Sequence, residues 1–130
     1  MSARSNAVLV VEDNPDNLYL ATVLLQNEGY RVVGASTGAD GLAAVQREAF
    51  DFVLLDLQLP DWDGFEVAEK IRCHASAATL PIIAASAFAM PSDRRKAFAA
   101  GCTGYLEKPI DADTFVAQVR CLAQQPAEWK

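Results

Sequence analysis

Five short, almost wholly apolar runs, "AVLVV", "RVVGA", "FVLL", "PIIAA" and "GYL", alternate along this chain with segments of helical periodicity. Runs of that length with so little polar interruption suit strands buried on both faces. Strict alternation of strand and helix in a small domain predicts a parallel sheet wound on both faces, with right-handed crossovers. The expected fold class is therefore α/β, a doubly wound (βα)5 sheet of five strands. With 130 residues, 52% of them hydrophobic, the chain has material for one core. A single domain over residues 1–130 is expected, its core at about 6–124 and its polar ends "MSARSN" and "QQPAEWK" frayed.

The helices carry their own punctuation. In "NPDNLYLATVLLQNEG" Asn14 reads as N-cap, Pro15 as first helical residue and Gly29 as terminator, with Leu18, Thr22 and Leu25 on one face. Later helices are predicted to start at Thr37 with Asp40 in a capping-box-like pair, at Asp63, at Ser92 and at Asp111. The last carries an apolar stripe of Phe115, Val119 and Leu122.

Composition excludes several functions. A net charge of −6 opposes attraction to phosphate backbones, and no helix-turn-helix or zinc module fits beside such a core, so no nucleic-acid partner is expected. No apolar run approaches the roughly 18 residues of a membrane span. The amino end shows no secretion signal, which points to the cytoplasm. Cys73, Cys102 and Cys121 are odd in number and widely spaced, as reduced thiols would be.

Polar residues stand where the apolar runs stop: Glu12 and Asp13 after the first, Asp56 after the third, Ser86 after the fourth, Lys108 after the fifth. In a doubly wound sheet the carboxyl ends of the strands carry the functional loops, and neighbouring first and third strands bring Glu12, Asp13 and Asp56 together at the switch point. Three close carboxylates raise one another's pKa, and a hard dication with oxygen ligands, such as Mg²⁺, relieves them. Lys108 adds a compact positive charge for a phosphoryl oxygen, and the Ser86 hydroxyl can donate to another. Asp56 is then a candidate nucleophile. Taken singly, each residue has a plainer reading: Glu12 and Asp13 as cap or ligand, Ser86 as a turn residue, Lys108 as a solvated charge. Their joint placement carries the argument.

"VLVVEDNPDN", "DFVLLDLQLPDWDG", "PIIAASAFAM" and "GCTGYLEKPI" together resemble the receiver domain of bacterial two-component response regulators, over nearly the whole chain. The resemblance is to stand-alone chemotaxis-type regulators and to the receivers of hybrid kinases. It implies a flavodoxin-like sheet of strand order 2-1-3-4-5. It implies that Asp56 accepts a phosphoryl group from a histidine kinase or a histidine phosphotransfer protein, a signalling role rather than a conventional enzyme's. Mg²⁺ would be held by Asp13, Asp56, the backbone carbonyl of Gln58 and, through water, Glu12; Lys108 and Ser86 would contact the phosphoryl oxygens. Ser86 and Tyr105 would form the switch, a cis bond would join Lys108 to Pro109, helix one would receive the donor, and helix four, strand five and helix five would signal to a target. Glu12 stands where Asp is commoner and Ser86 where Thr is commoner; both keep an oxygen.

Three rivals fare worse. An aspartyl-phosphate phosphatase commonly has a second Asp two residues after the nucleophile as general acid, and Gln58 cannot deliver a proton so. A nucleotide-binding domain needs G-x-G-x-x-G where "VEDNPDN" stands. A serine hydrolase using Ser86 and His74 lacks the G-x-S-x-G elbow. His74 reads as a surface residue, and Arg94, Arg95 and Lys96 as a solvated helix face.

Overall fold

The structure is a computed structural model and describes residues 6–74, 79–87 and 90–124. Strands β1 (Ala7–Val11), β2 (Arg31–Ala35), β3 (Phe52–Asp56), β4 (Ile82–Ser86) and β5 (Gly104–Glu107) alternate with helices α1 (Pro15–Asn27), α2 (Gly38–Arg47), α3 (Gly64–Cys73), α4 (Pro91–Ala99) and α5 (Phe115–Gln124). All strand pairings are parallel, in the order β2-β1-β3-β4-β5. This is the flavodoxin-like winding expected from the sequence. Among the described residues no helix is long and apolar enough to cross a membrane.

The pleat divides the core in two. Leu9, Val11, Val53, Leu55, Ile82, Ala84 and Tyr105 face one side, against Val67, Ala68 and Ile71 of α3 and Ala44 and Val45 of α2. Val8, Val10, Phe52, Leu54, Ile83, Ala85 and Leu106 face the other, against Ala21 and Leu25 of α1 and Phe115 and Val119 of α5. Because successive strand residues alternate faces, continuous apolar runs are required to fill both layers.

Caps fall mostly where the sequence puts them. The Asn14 side chain accepts from the N–H of Asp16 and Asn17, Thr37 from Asp40, and Asp63 from Phe65; Gly29 takes the left-handed φ of +94° that ends α1. Several expectations are corrected. Ala21 rather than Thr22 completes the buried face of α1. Helix α4 starts at Pro91 with Met90 as N-cap and no side-chain cap, so Ser92 lies inside the helix. Proline supplies a helical φ and has no N–H to satisfy. Asp111 accepts from the Asp113 N–H, but a turn intervenes before α5 starts at Phe115. His74 is half-buried as the C-cap of α3. Arg94, Arg95 and Lys96 are all exposed, as the solvated-face expectation has it, with Arg94 lying over the ring of Tyr105 and Lys96 over that of Phe65.

Candidate functional site

The ladder continues one residue beyond several strands, which fixes the backbone under each polar side chain. Glu12 N–H donates to the Ala35 carbonyl, Leu57 N–H to Ala85, and Lys108 N–H to Ser86. Glu12, Asp56 and Lys108 therefore project from a rigid carboxyl edge and meet in one pocket. Lys108 Nζ stands 2.7 Å from Glu12 Oε1 and 3.2 Å from Asp56 Oδ2. Glu12 (5% exposed), Asp56 (3%) and Ser86 (1%) are the buried polar residues among those described. The Lys108–Pro109 peptide is cis.

Burial is the main force on Asp56. It raises the Asp56 carboxyl above its ordinary range; the Gln58 N–H, donating to Asp56 Oδ1 at 2.9 Å, and the Lys108 charge pull the other way, while Glu12 adds to the rise. For Lys108, burial would lower the pKa, but Glu12 and Asp56 together outweigh it and raise the ammonium above its usual value. The lysine thus acts as the internal counter-ion of two buried carboxylates.

Carboxylate oxygens of Glu12, Asp13 and Asp56 lie within 4.8 Å of one another, Asp13 exposed and the other two buried. The oxygen-only donors suit a hard cation, and opposite ligands of a Mg²⁺ ion are about 4 Å apart, so the cluster fits it with water completing the shell. Ser86 is separate from this triad and faces the α3 side of the sheet, as Tyr105 does; its hydroxyl accepts from Gln58 Nε2 at 3.2 Å. Tyr105 is buried, beside Ala84 in the register. His74, at the end of α3, leads back toward the amino edge, so Ser86 and His74 cannot form a hydrolase pair.

Two contacts escape sequence reasoning. The Gln58 amide reaching Ser86 spans 28 positions. The Asp61 carboxylate accepts from the N–H groups of Gly38 and Ala39. Only the acidity of "PDWDG" hints at the second.

A doubly wound parallel sheet with an acidic pocket and a lysine at its switch point, and no glycine-rich phosphate cradle after β1, defines a class of α/β domain built around charge rather than a nucleotide. The chain belongs to the response regulator receiver domain family, whose pattern matches residues 8–120, and so to two-component signalling. Sensor protein GacS of Pseudomonas syringae pv. syringae is 40% identical over 132 residues, covering 99% of this chain and 14% of that protein. The chain thus spans about one seventh of the GacS relative. The polar-differentiation response regulator DivK of Brucella ovis is 31% identical over 116 residues, covering 89% of this chain and 94% of DivK. Among solved structures, the receiver domain of sensor histidine kinase PA1611 from Pseudomonas aeruginosa PAO1, with a magnesium ion coordinated in its active-site cleft, is 31% identical with a TM-score of 0.83, covering 92% of this chain and 98% of that one. Receiver domains take phosphoryl groups from histidine kinases or phosphotransfer proteins.

Proposed function

We propose that this chain is a single receiver domain, cytoplasmic, in which Asp56 accepts a phosphoryl group from a histidine kinase or histidine phosphotransfer protein. The observation that supports it most is the buried Glu12–Lys108–Asp56 arrangement at the switch point. A carboxylate oxygen of Asp56 bonds to phosphorus as the P–N bond to the donor histidine breaks, and the imidazole leaves with the electron pair and takes up a proton. Lys108 balances charge on one phosphoryl oxygen and the Ser86 hydroxyl donates to another; such transfer depends on positioning and electrostatics more than on covalent help. Asp13, Asp56 and the Gln58 carbonyl would hold Mg²⁺, with Glu12 acting through water. Mg²⁺, when bound, supplies charge neutralisation for the carboxylates and the transferring group. Slow hydrolysis of the aspartyl phosphate returns the domain to rest.

The signal leaves through α4, β5 and α5. A groove of about 760 Å³ runs along that face, lined by Arg94, Tyr105, Lys108, Gln118, Cys121 and Leu122 among others. Phosphorylation draws the Ser86 hydroxyl toward the new acceptor oxygens, and Tyr105 on the same face of the sheet reports the change. Incubation with acetyl phosphate and Mg²⁺, read by intact mass, should add one phosphoryl group to the wild type and none to Asp56→Asn. No gain in the wild type removes the reading. Beryllofluoride with Mg²⁺ should shift the Tyr105 ring resonances, and an unchanged spectrum removes the switch alone.

A further inference from the structure

The β3–α3 loop doubles back on itself directly after Asp56. Gln58 forms an isolated bridge with Asp63, and Gly64 N–H donates to the Leu57 carbonyl. The turn is so tight that a Cβ on Gly64 would lie 2.4 Å from Leu57 Cα. At the tip of this loop Asp61 reaches away from the pocket to the first turn of α2, where Oδ1 accepts from Gly38 N–H at 2.8 Å and Oδ2 from Ala39 N–H at 3.0 Å. The Gly38 N–H holds this carboxyl below its ordinary range; desolvation opposes that, while the N–H groups of Ala39, Asp61 and Trp62 add to it.

Helix α2 is a firm anchor for the loop. A Cβ on Gly38 would meet Val67 Cγ2 at 2.7 Å and Trp62 Cε3 at 3.3 Å, and one on Gly41 would meet Val11 Cγ2 at 2.8 Å. The helix therefore seats closely on α3 and on the end of β1, one residue before Glu12. One structural unit thereby spans both acid-bearing segments. Within the loop, Gln58 N–H touches the acceptor itself, at Asp56 Oδ1.

We infer that Asp61 is a positioning residue for the phosphoacceptor pocket: it ties the β3–α3 loop to α2 and so holds Gln58 against Asp56. The inference rests on the receiver reading, because Gln58 matters only if Asp56 and its metal site are in use. The competing explanation is that Asp61 merely caps α2. Thr37 separates the two, since its Oγ1 caps the same turn by accepting from Asp40 N–H at 3.1 Å and leaves the β3–α3 loop alone.

The test compares Asp61→Ala, Asp61→Asn and Thr37→Ala in the full chain. In metal-free protein, amide hydrogen exchange at Gln58 should accelerate in Asp61→Ala, to a lesser degree in Asp61→Asn, and stay at the wild-type rate in Thr37→Ala. Calorimetric Mg²⁺ binding should weaken by about tenfold in Asp61→Ala, in line with the loss of a group that supports a ligand. Thr37→Ala should lower the Tm but not the Mg²⁺ affinity. Wild-type exchange at Gln58 and wild-type Mg²⁺ affinity in Asp61→Ala would overturn the inference while leaving the receiver reading intact, as would Thr37→Ala reproducing both effects. Should Asp61→Ala fail to fold, the Asp61→Asn result decides alone. A wild type that binds no Mg²⁺ and gains no phosphoryl group brings down the receiver reading and this inference with it.

Discussion

Lys108 and Arg72 are long cations drawn into the protein at opposite edges of the sheet. Lys108, its side chain 12% exposed, faces Glu12 and Asp56 at the carboxyl edge. Arg72, near the end of α3, is half-buried; its Nη2 donates to the Gly101 carbonyl at 2.6 Å, just before β5, and its charge lies near the buried Cys102 thiol. Burial lowers the Arg72 pKa, whereas two carboxylates raise that of Lys108. The partners make the difference. A backbone carbonyl can neither titrate nor bond to an incoming group, so the Arg72–Gly101 bond fastens loop to helix. Carboxylates can exchange a lysine for a metal ion or form a bond to phosphorus. The contacts of Lys108 are ones that chemistry can replace, whereas the Arg72–Gly101 bond is scaffold.

The sharpest way to break this contrast is to remove Lys108. Lys108→Ala deletes the charge that the proposed function sets against the phosphoryl group, and loss of one such preorganised group should slow transfer by about 100-fold or more. The same change removes a competitor for the carboxylates, so Mg²⁺ should bind more tightly. Phosphorylation by acetyl phosphate at saturating Mg²⁺, alongside calorimetric titration, reads both effects. Weaker Mg²⁺ binding would show that Lys108 organises the acids rather than competing for them.

Arg72→Met is the matching change at the other edge. It leaves the Gly101 carbonyl without its side-chain donor, a loss of about 1–3 kcal/mol in unfolding free energy. Urea denaturation should detect that loss, and the phosphorylation rate should stay at the wild-type value. A slowed rate would mean that the amino edge communicates with the pocket.

The pocket also predicts a smaller effect, on stability against pH. Asp56 has a folded pKa raised above its ordinary 3.8. A raised acid contributes stability that is fully present below the unfolded pKa and is lost as pH rises through the folded one. Metal-free Asp56→Asn should therefore gain Tm relative to wild type as pH climbs from acid toward neutral. Mg²⁺ should narrow the gap by stabilising the wild type. A Tm difference between Asp56→Asn and wild type that stays constant or falls as pH rises, without Mg²⁺, would contradict the sign.

Much of this was legible in the sequence for local reasons. Strands buried on both sides must be apolar throughout, and a charged residue just past such a run, as at Glu12 and Lys108, stands out. Asn14 and Thr37 cap through bonds within three residues, which short-range preference captures. The pocket's members were visible because each closes a strand, and the strand order alone brings β1 beside β3. The start of α4 was misplaced because Pro91 needs no side-chain cap, so the familiar signal at Ser92 pointed one residue too far in. Gln58 to Ser86 and Asp61 to Gly38 join residues 28 and 23 positions apart through side chains whose composition permits many partners. Only the closed loop after Asp56 selects among them.

The gentlest test of the two-edge comparison uses the thiols. Cys102 is fully buried, and burial pushes its pKa up from 9.0 to about 12, against the opposing influence of Arg72. Cys73 and Cys121 are exposed. Because the thiolate is the reactive form, native protein should consume a thiol reagent quickly at Cys73 and Cys121 and at Cys102 only after local opening. Arg72 fastens the residue next to Cys102, and Arg72→Met should therefore accelerate the slow phase. Lys108→Ala should leave that phase unchanged, since its partners lie at the far edge. Peptide mapping of the labelled protein assigns each phase to its cysteine. Faster labelling of Cys102 in Lys108→Ala would show that opening at the amino edge depends on the charge state of the pocket, and the two buried cations would then have to be treated as one coupled system.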